Sequence, residues 1–64
     1  MDTQTMALEN MIDGASLSAV LERLAEICHG KADHLRSNWQ DSHTAKVWTR
    51  NARHLERVAN QVTF

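Results

Sequence analysis

The sequence predicts an all-α protein: an antiparallel helical hairpin of residues ~17–39 and ~42–62, with a short N-terminal helix or tail, that dimerises into a helical bundle. Large apolar residues recur at spacings of three and four, the periodicity of one helix face. No stretch alternates polar and apolar residues for more than a few positions, so nothing indicates a strand. The chain has 64 residues and is expected to form a single helical domain over 1–64.

Residues 1–14 are expected to form either a short helix or a flexible arm. Thr5 can cap the start of such a helix, and Gly14 fits a left-handed terminator. The evidence for the helix is an apolar edge rich in methionine, made of Met6, Leu8, Met11 and Ile12.

The first long helix is predicted over 16–39, with Ser16 or Ser18 as its N-cap. Gly30 is a weak point, since glycine costs roughly 1 kcal/mol relative to alanine inside a helix. We expect the helix to continue through Gly30, because Leu35 lies in phase with the residues before it. The apolar face that defines this phase consists of Leu17, Val20, Leu21, Leu24, Ile27, Cys28, Leu35 and Trp39.

The second long helix is predicted over 42–62, with Asp41 or Ser42 as its N-cap. Its apolar positions form two heptad rows, one small and one large, which favours close packing of a neighbouring helix. The small row is Ala45, Ala52 and Ala59, and the large row is Trp48, Leu55 and Val62. The segment between the two helices, 38–43, is short, so the helices should lie side by side and antiparallel.

A chain of this size has a marginal core, and its single cysteine, Cys28, rules out an internal disulfide framework. The apolar face of 17–28 is also too wide for one partner helix. It needs a second cover, either the N-terminal segment or another copy of the chain. We therefore expect a homodimer. No segment has the length or apolarity of a signal peptide or a membrane span, which favours a cytoplasmic protein without a membrane partner.

Charge is divided unevenly along the chain. Residues 1–42 carry seven acids and three bases, a net charge of -4, and residues 43–64 carry four bases and one acid, a net charge of +3. The bases of the second helix fall on one arc opposite its apolar rows: Lys46, Arg50, Arg53 and Arg57. Glu22, Glu26 and Asp33 share the outward face of the first helix. Each stripe is either a solvated face or a binding surface.

Two patterns resemble a metal site and a catalytic thiol, but their residues lie on the wrong helix face or lack a partner. Glu26 and His29 have the Glu-x-x-His spacing of metal-binding bundles, but both project away from the apolar face, where such ligands must point inward. Cys28 lies on the apolar face without an inward base to activate it, and it is expected to be a small buried hydrophobe. We therefore predict neither an enzyme nor a metal or other cofactor.

Polar residues and tryptophans interrupt the apolar faces of the two predicted helices near the loop. Lys31 and Asn38 project into the apolar arc, either because the lysine stem snorkels and the asparagine lies at the loop, or because they belong to an interface. Trp39 and Trp48 flank the loop, and each is either a plug for the open end of the hairpin or an anchor for a partner.

Together these features predict a small helical interaction protein that acts by binding a protein partner. A regulatory or inhibitory subunit, for example one from a phage or mobile element, fits this description. The expected partner-binding residues are the basic stripe and the loop end: Lys46, Arg50, Arg53, Arg57, Asn38, Trp39 and Gln40. Alternatively the acidic face of Glu22, Glu26 and Asp33 stands in for nucleic-acid phosphates on a larger machine. A further alternative is a small regulator that binds RNA or DNA through the basic helix.

Overall fold

The structure is a computed structural model that describes residues 2–64, and over this range it is all-helical, which confirms the predicted class. Three α-helices follow one another: α1 (Thr3–Gly14), α2 (Leu17–His34) and α3 (Ser42–Gln61). A π-helical turn, Leu35–Trp39, extends α2 toward the loop.

Helix α1 begins earlier than its predicted cap. The N-cap is Asp2, whose carboxylate accepts a 2.7 Å hydrogen bond from the backbone N–H of Thr5, so the prediction of Thr5 as the cap is wrong. Gly14 is the last helical residue and has no positive φ, so it is not a left-handed terminator either. The helix has no buried residue, and its only helix contact is with α2.

Helix α2 starts at the N-cap Ser16, whose hydroxyl accepts a 2.9 Å bond from Ala19 N–H, and it continues through Gly30. The helix predicted over 16–39 reaches Trp39, but after His34 its winding changes from α to π. The Gln40 N–H reaches back five residues to the Leu35 carbonyl, and Gln40 itself adopts a left-handed φ of 50°. The wider turn changes the direction of the side chains that follow it, so Trp39 does not lie on the same helix face as Leu35.

Helix α3 begins at the N-cap Asp41, whose carboxylate accepts a 3.1 Å bond from Thr44 N–H. It packs along α2, and residues later in α2 meet residues earlier in α3. Ser18 bonds to Ala59, and Arg36 bonds to Thr49. The C-terminal end of the chain also returns to α2, because Ser18 N–H donates a 2.8 Å bond to the backbone oxygen of Phe64.

The core between α2 and α3 is made mainly of small side chains. Its buried residues are Val20, Ala25, Cys28 and Ala32 from α2 and Ala45, Ala52 and Ala59 from α3. Trp48 and Leu55 pack against this core while remaining partly exposed. The small row of α3 is therefore buried as predicted, and the alanines allow the two helix backbones to approach closely.

The α2 side of the seam differs from the prediction. Leu17, Leu24 and Ile27 are 37%, 38% and 56% exposed, while Ala25 and Ala32, which the apolar pattern did not include, are buried. The face that contacts α3 is thus rotated toward the alanines, since two helices with small facing residues can pack more closely than a leucine row permits. The large side chains lie along one edge of the contact.

Candidate functional site

The basic stripe of α3 lines an open groove, which we call the basic groove. Its lining residues are Arg36, Lys46, Thr49, Arg50, Arg53, His54 and Arg57. All four bases predicted from the sequence are therefore brought together. Arg36, on the π turn that follows α2, joins them across the helix contact, and no Asp or Glu side chain of residues 2–64 lines this groove.

Contacts within the basic groove orient its two ends. Arg36 donates a 3.1 Å bond to the Thr49 hydroxyl, and its guanidinium lies 3.6 Å from the Asp33 carboxylate. Arg57 donates to Nδ1 of His54. Lys46, Arg50 and Arg53 make no ion pair within residues 2–64, so the middle of the row presents uncompensated charge.

The acidic stripe of α2 is divided by the structure. Glu22 and Glu26 line a second groove with Glu56 of α3, while Asp33 lies beside Arg36 instead. In the second groove, Nε2 of His29 lies 2.8 Å from the Glu56 carboxylate, and both side chains are about half exposed. Such exposed pairs contribute at most about 1 kcal/mol to stability.

The loop end presents one exposed aromatic side chain. Trp39 is 69% exposed, which does not fit the alternative in which it plugs the open end of the hairpin. Its indole N–H donates a 3.3 Å bond to Nε2 of His34, and the Asn38 amide lies 2.8 Å from Nδ1 of the same ring. Gln40 is exposed on the left-handed turn next to them. His34 thereby fixes the direction of the Trp39 ring.

Trp48 is more buried than Trp39, and a lysine covers one side of its ring. The Lys31 ammonium lies 5.3 Å from the centre of the Trp48 ring, within the range of a cation–π contact. The two residues line a shallow hollow together with Ile27, Gly30, His34 and Leu35. Lys31 thus occupies the apolar arc with its charge at the edge, as expected for a snorkelling side chain.

Several large apolar side chains of α1 and α2 are left out of the core and remain exposed, and we call this set the open apolar face. It comprises Leu17, Leu24 and Ile27 of α2 and Met6, Leu8, Met11 and Ile12 of α1. All seven are more than a third exposed. Helix α1 contacts α2 but leaves Leu17, Leu24 and Ile27 exposed.

The two carboxyl groups whose pKa is shifted are helix caps and lie outside both grooves. The carboxyl pKa is lowered at Asp2 and at Asp41 because each carboxylate accepts hydrogen bonds, from Thr5 and Thr44 respectively, at a helix N-terminus. Both are caps. Within residues 2–64, no three His, Cys, Asp or Glu side chains are placed to hold one metal ion. Cys28 is a buried thiol.

The residues of these surfaces that were not among the predicted site residues include Arg36, His34 and Glu56. The signal that could have found them is the pairing of the two helices, since each meets a predicted residue across the helix contact or the π turn.

None of the helices in 2–64 has the length and apolarity needed to cross a bilayer. Comparisons with models of known families, with curated proteins and with solved structures find no match.

Proposed function

We propose that this chain is a small non-enzymatic helical interaction protein whose α2–α3 hairpin dimerises into a helical bundle and binds a protein partner. The observation that carries the proposal is the open apolar face. Seven large apolar side chains on α1 and α2 are each more than a third exposed, although single exposed residues would need no explanation.

The size of the exposed surface supports a second copy as the cover. A compact monomer of this mass exposes roughly 4,200 Å² by the scaling of surface with mass. This chain exposes 5006 Å². The surplus is close to the ~800 Å² that each partner buries in a standard interface. The radius of gyration, 13.6 Å, also exceeds the ~11 Å of a compact chain of this length.

Protein binding is assigned to the loop end, where Trp39 is held by His34 and remains mostly exposed. Tryptophan is enriched among the residues that dominate interface energies, because its large ring gains much contact area on burial. A regulatory or inhibitory subunit acts in this way, by occupying the surface of a larger protein. We place the protein in the cytoplasm, since its lone cysteine is a buried thiol that requires no oxidising compartment.

Light scattering on the purified chain tests the dimer. We expect twice the chain mass of 7.3 kDa for the wild type. Ile27→Glu places a charge on the open apolar face and should give a monomer. Its helical circular dichroism should be retained, because Ile27 is 56% exposed and outside the α2–α3 core. His43→Glu, at an exposed position of α3, is the matched control and should remain dimeric.

A wild-type monomer at all concentrations measured would overturn the dimer and would imply that α1 folds back onto its own chain. The partner is tested by affinity capture from cells in the presence of nuclease. A protein that is captured by the wild type and lost with Trp39→Ala supports the assignment. Equal capture by both forms contradicts the role of the loop end.

A further inference from the structure

The basic groove is a feature that neither dimerisation through the open apolar face nor partner binding at Trp39 uses. It is lined by five cationic side chains and no carboxylate, in a chain whose formal net charge is only -1. Five like charges on one surface repel each other, so their concentration there lowers stability unless an anion is bound.

The charges in the middle of the groove are free to meet a ligand. Within residues 2–64 the ion pairs are His29–Glu56 and Arg36–Asp33, and neither involves the bases of α3. The Arg57 guanidinium bonds to an imidazole nitrogen, which leaves its charge uncompensated. Four full positive charges of α3 are therefore available.

The spacing of these bases fits an extended anion. Lys46, Arg50, Arg53 and Arg57 are separated by four, three and four residues, so they extend over ~16 Å of helix at 1.5 Å per residue. A single phosphate or carboxylate can contact only one or two of them. A nucleic-acid strand, in contrast, carries phosphates continuously along its length.

The chemistry of the lining indicates contact with the backbone rather than with bases. Within residues 2–64, no tryptophan or phenylalanine lines the groove, and its one aromatic ring, that of His54, is hydrogen-bonded to Arg57, so the groove offers little surface on which unpaired bases stack. Arginines and a lysine on an exposed helix face provide phosphate contacts, which position a strand without reading its sequence. Glu56, which lines the second groove with Glu22 and Glu26, is adjacent to Arg57 in sequence, and its carboxylate repels phosphate at that end of the row.

We propose that the basic groove binds the sugar-phosphate backbone of a nucleic acid, with little preference for base sequence. The four bases of α3 contact successive phosphates, and Arg36 extends the row from the π turn. The site is separate from the proposed dimer and protein-binding surfaces. The chain would then connect a protein partner to a nucleic acid.

The test is fluorescence anisotropy of the full-length chain with labelled single-stranded RNA of mixed sequence, repeated over a range of salt concentrations. Four phosphate contacts predict that the logarithm of the affinity falls with the logarithm of salt concentration with a slope of about -3. The double variant Arg50→Gln/Arg53→Gln should reduce the slope to about half and lower the affinity at least tenfold at low salt. A second RNA of different sequence should bind equally well.

Arg23→Gln is the matched control, because Arg23 is an exposed arginine of α2 outside the groove, and its affinity should equal that of the wild type. Circular dichroism and light scattering of the double variant should be unchanged, since Arg50 and Arg53 are exposed and make no ion pair in 2–64. Loss of RNA binding in the double variant would then show that the groove binds RNA, whether or not the chain dimerises.

Three results would overturn the proposal: no binding at low salt, affinity insensitive to the double variant, or a strong preference for one base sequence. Competition with poly-glutamate at equal charge concentration separates nucleic acid from an acidic protein. Weak competition supports the phosphate backbone as the ligand. Competition as strong as that of unlabelled RNA would instead assign the groove to acidic proteins.

Discussion

The hydroxyl of Ser18 donates a 2.8 Å hydrogen bond to the backbone carbonyl of Ala59, so the first turn of α2 is fixed to the last turns of α3. The bond is partly buried and joins residues 41 positions apart. We predict that Ser18→Ala lowers the free energy of unfolding by about 1 kcal/mol, the typical contribution of such a bond. Urea unfolding followed by circular dichroism measures this change.

Ser37→Ala is the control for that measurement, since Ser37 is exposed on the π turn. It should change the free energy of unfolding by much less than Ser18→Ala. Equal effects of the two substitutions would show that the Ser18–Ala59 bond does not stabilise the pairing of α2 with α3.

Gly30 lies inside α2 and offers a stabilising substitution. A Cβ atom added there meets no atom within 4 Å, and its φ is not positive. Gly30→Ala should therefore raise the free energy of unfolding by roughly 0.5–1 kcal/mol, because alanine loses less backbone entropy in a helix. Thermal unfolding measures the change. Gly14→Ala, at the end of the unburied helix α1, should have a smaller effect, and a destabilised Gly30→Ala would contradict the continuous α2.

Ala52 is fully buried where α2 and α3 approach, with no exposed surface at all. Ala52→Leu must push the two helices apart or force strained rotamers, and such overpacking typically costs 1–3 kcal/mol. We expect a loss of about that size in urea unfolding. The control is Ala7→Leu, the same change at an exposed position of α1, which should be close to neutral. A tolerated Ala52→Leu would mean that the helices are not closely packed.

The Asp41 cap predicts a dependence of stability on pH. Hydrogen bonds from the backbone N–H and the hydroxyl of Thr44 lower the carboxyl pKa of Asp41 below its ordinary 3.8 in the folded chain. The contribution of the ionised cap is thus present above pH 3.8 and is lost as the pH falls through the lowered pKa. Melting temperatures measured from neutral to acidic pH should show this loss.

Asp41→Asn keeps a capping side chain but has no carboxyl to titrate. It should remain close to the wild type in melting temperature at neutral pH and should lose less stability in acid, with Asp2 still titrating as in the wild type. Asp41→Ala should melt a few degrees lower at neutral pH. An unchanged acid dependence in Asp41→Asn would exclude Asp41 as a source of the effect.

The structure supports the parts of the sequence analysis that rest on local chemistry. The all-helical class follows from apolar spacing, and the caps Ser16 and Asp41 follow from side chains that accept backbone N–H bonds. The burial of Ala45, Ala52 and Ala59 follows from the heptad rows of α3, which is strongly amphipathic. The grouping of the α3 bases follows from helix geometry alone, because residues three and four apart share a face.

The features that depend on how the helices pack together could not be predicted from the sequence. Which arc of α2 faces α3 is decided by how closely the backbones approach, so Ala25 and Ala32 are buried while Leu24 and Ile27 remain exposed. The π turn that exposes Trp39 has no counterpart in a pattern of 3.6-residue periodicity. The addition of Arg36 to the basic groove likewise requires two segments that are adjacent only in the folded chain.

The helical class, the caps of α2 and α3, the alanine row and the charged stripes could all be predicted, since each depends on residues within a few positions of one another. The rotation of α2 against α3, the direction of Trp39 and the exposure of the α1 and α2 apolar side chains are visible only in the folded chain. These features depend on contacts between residues distant in sequence. In this fold the small side chains pack closely in the core, and several of the largest apolar side chains remain exposed.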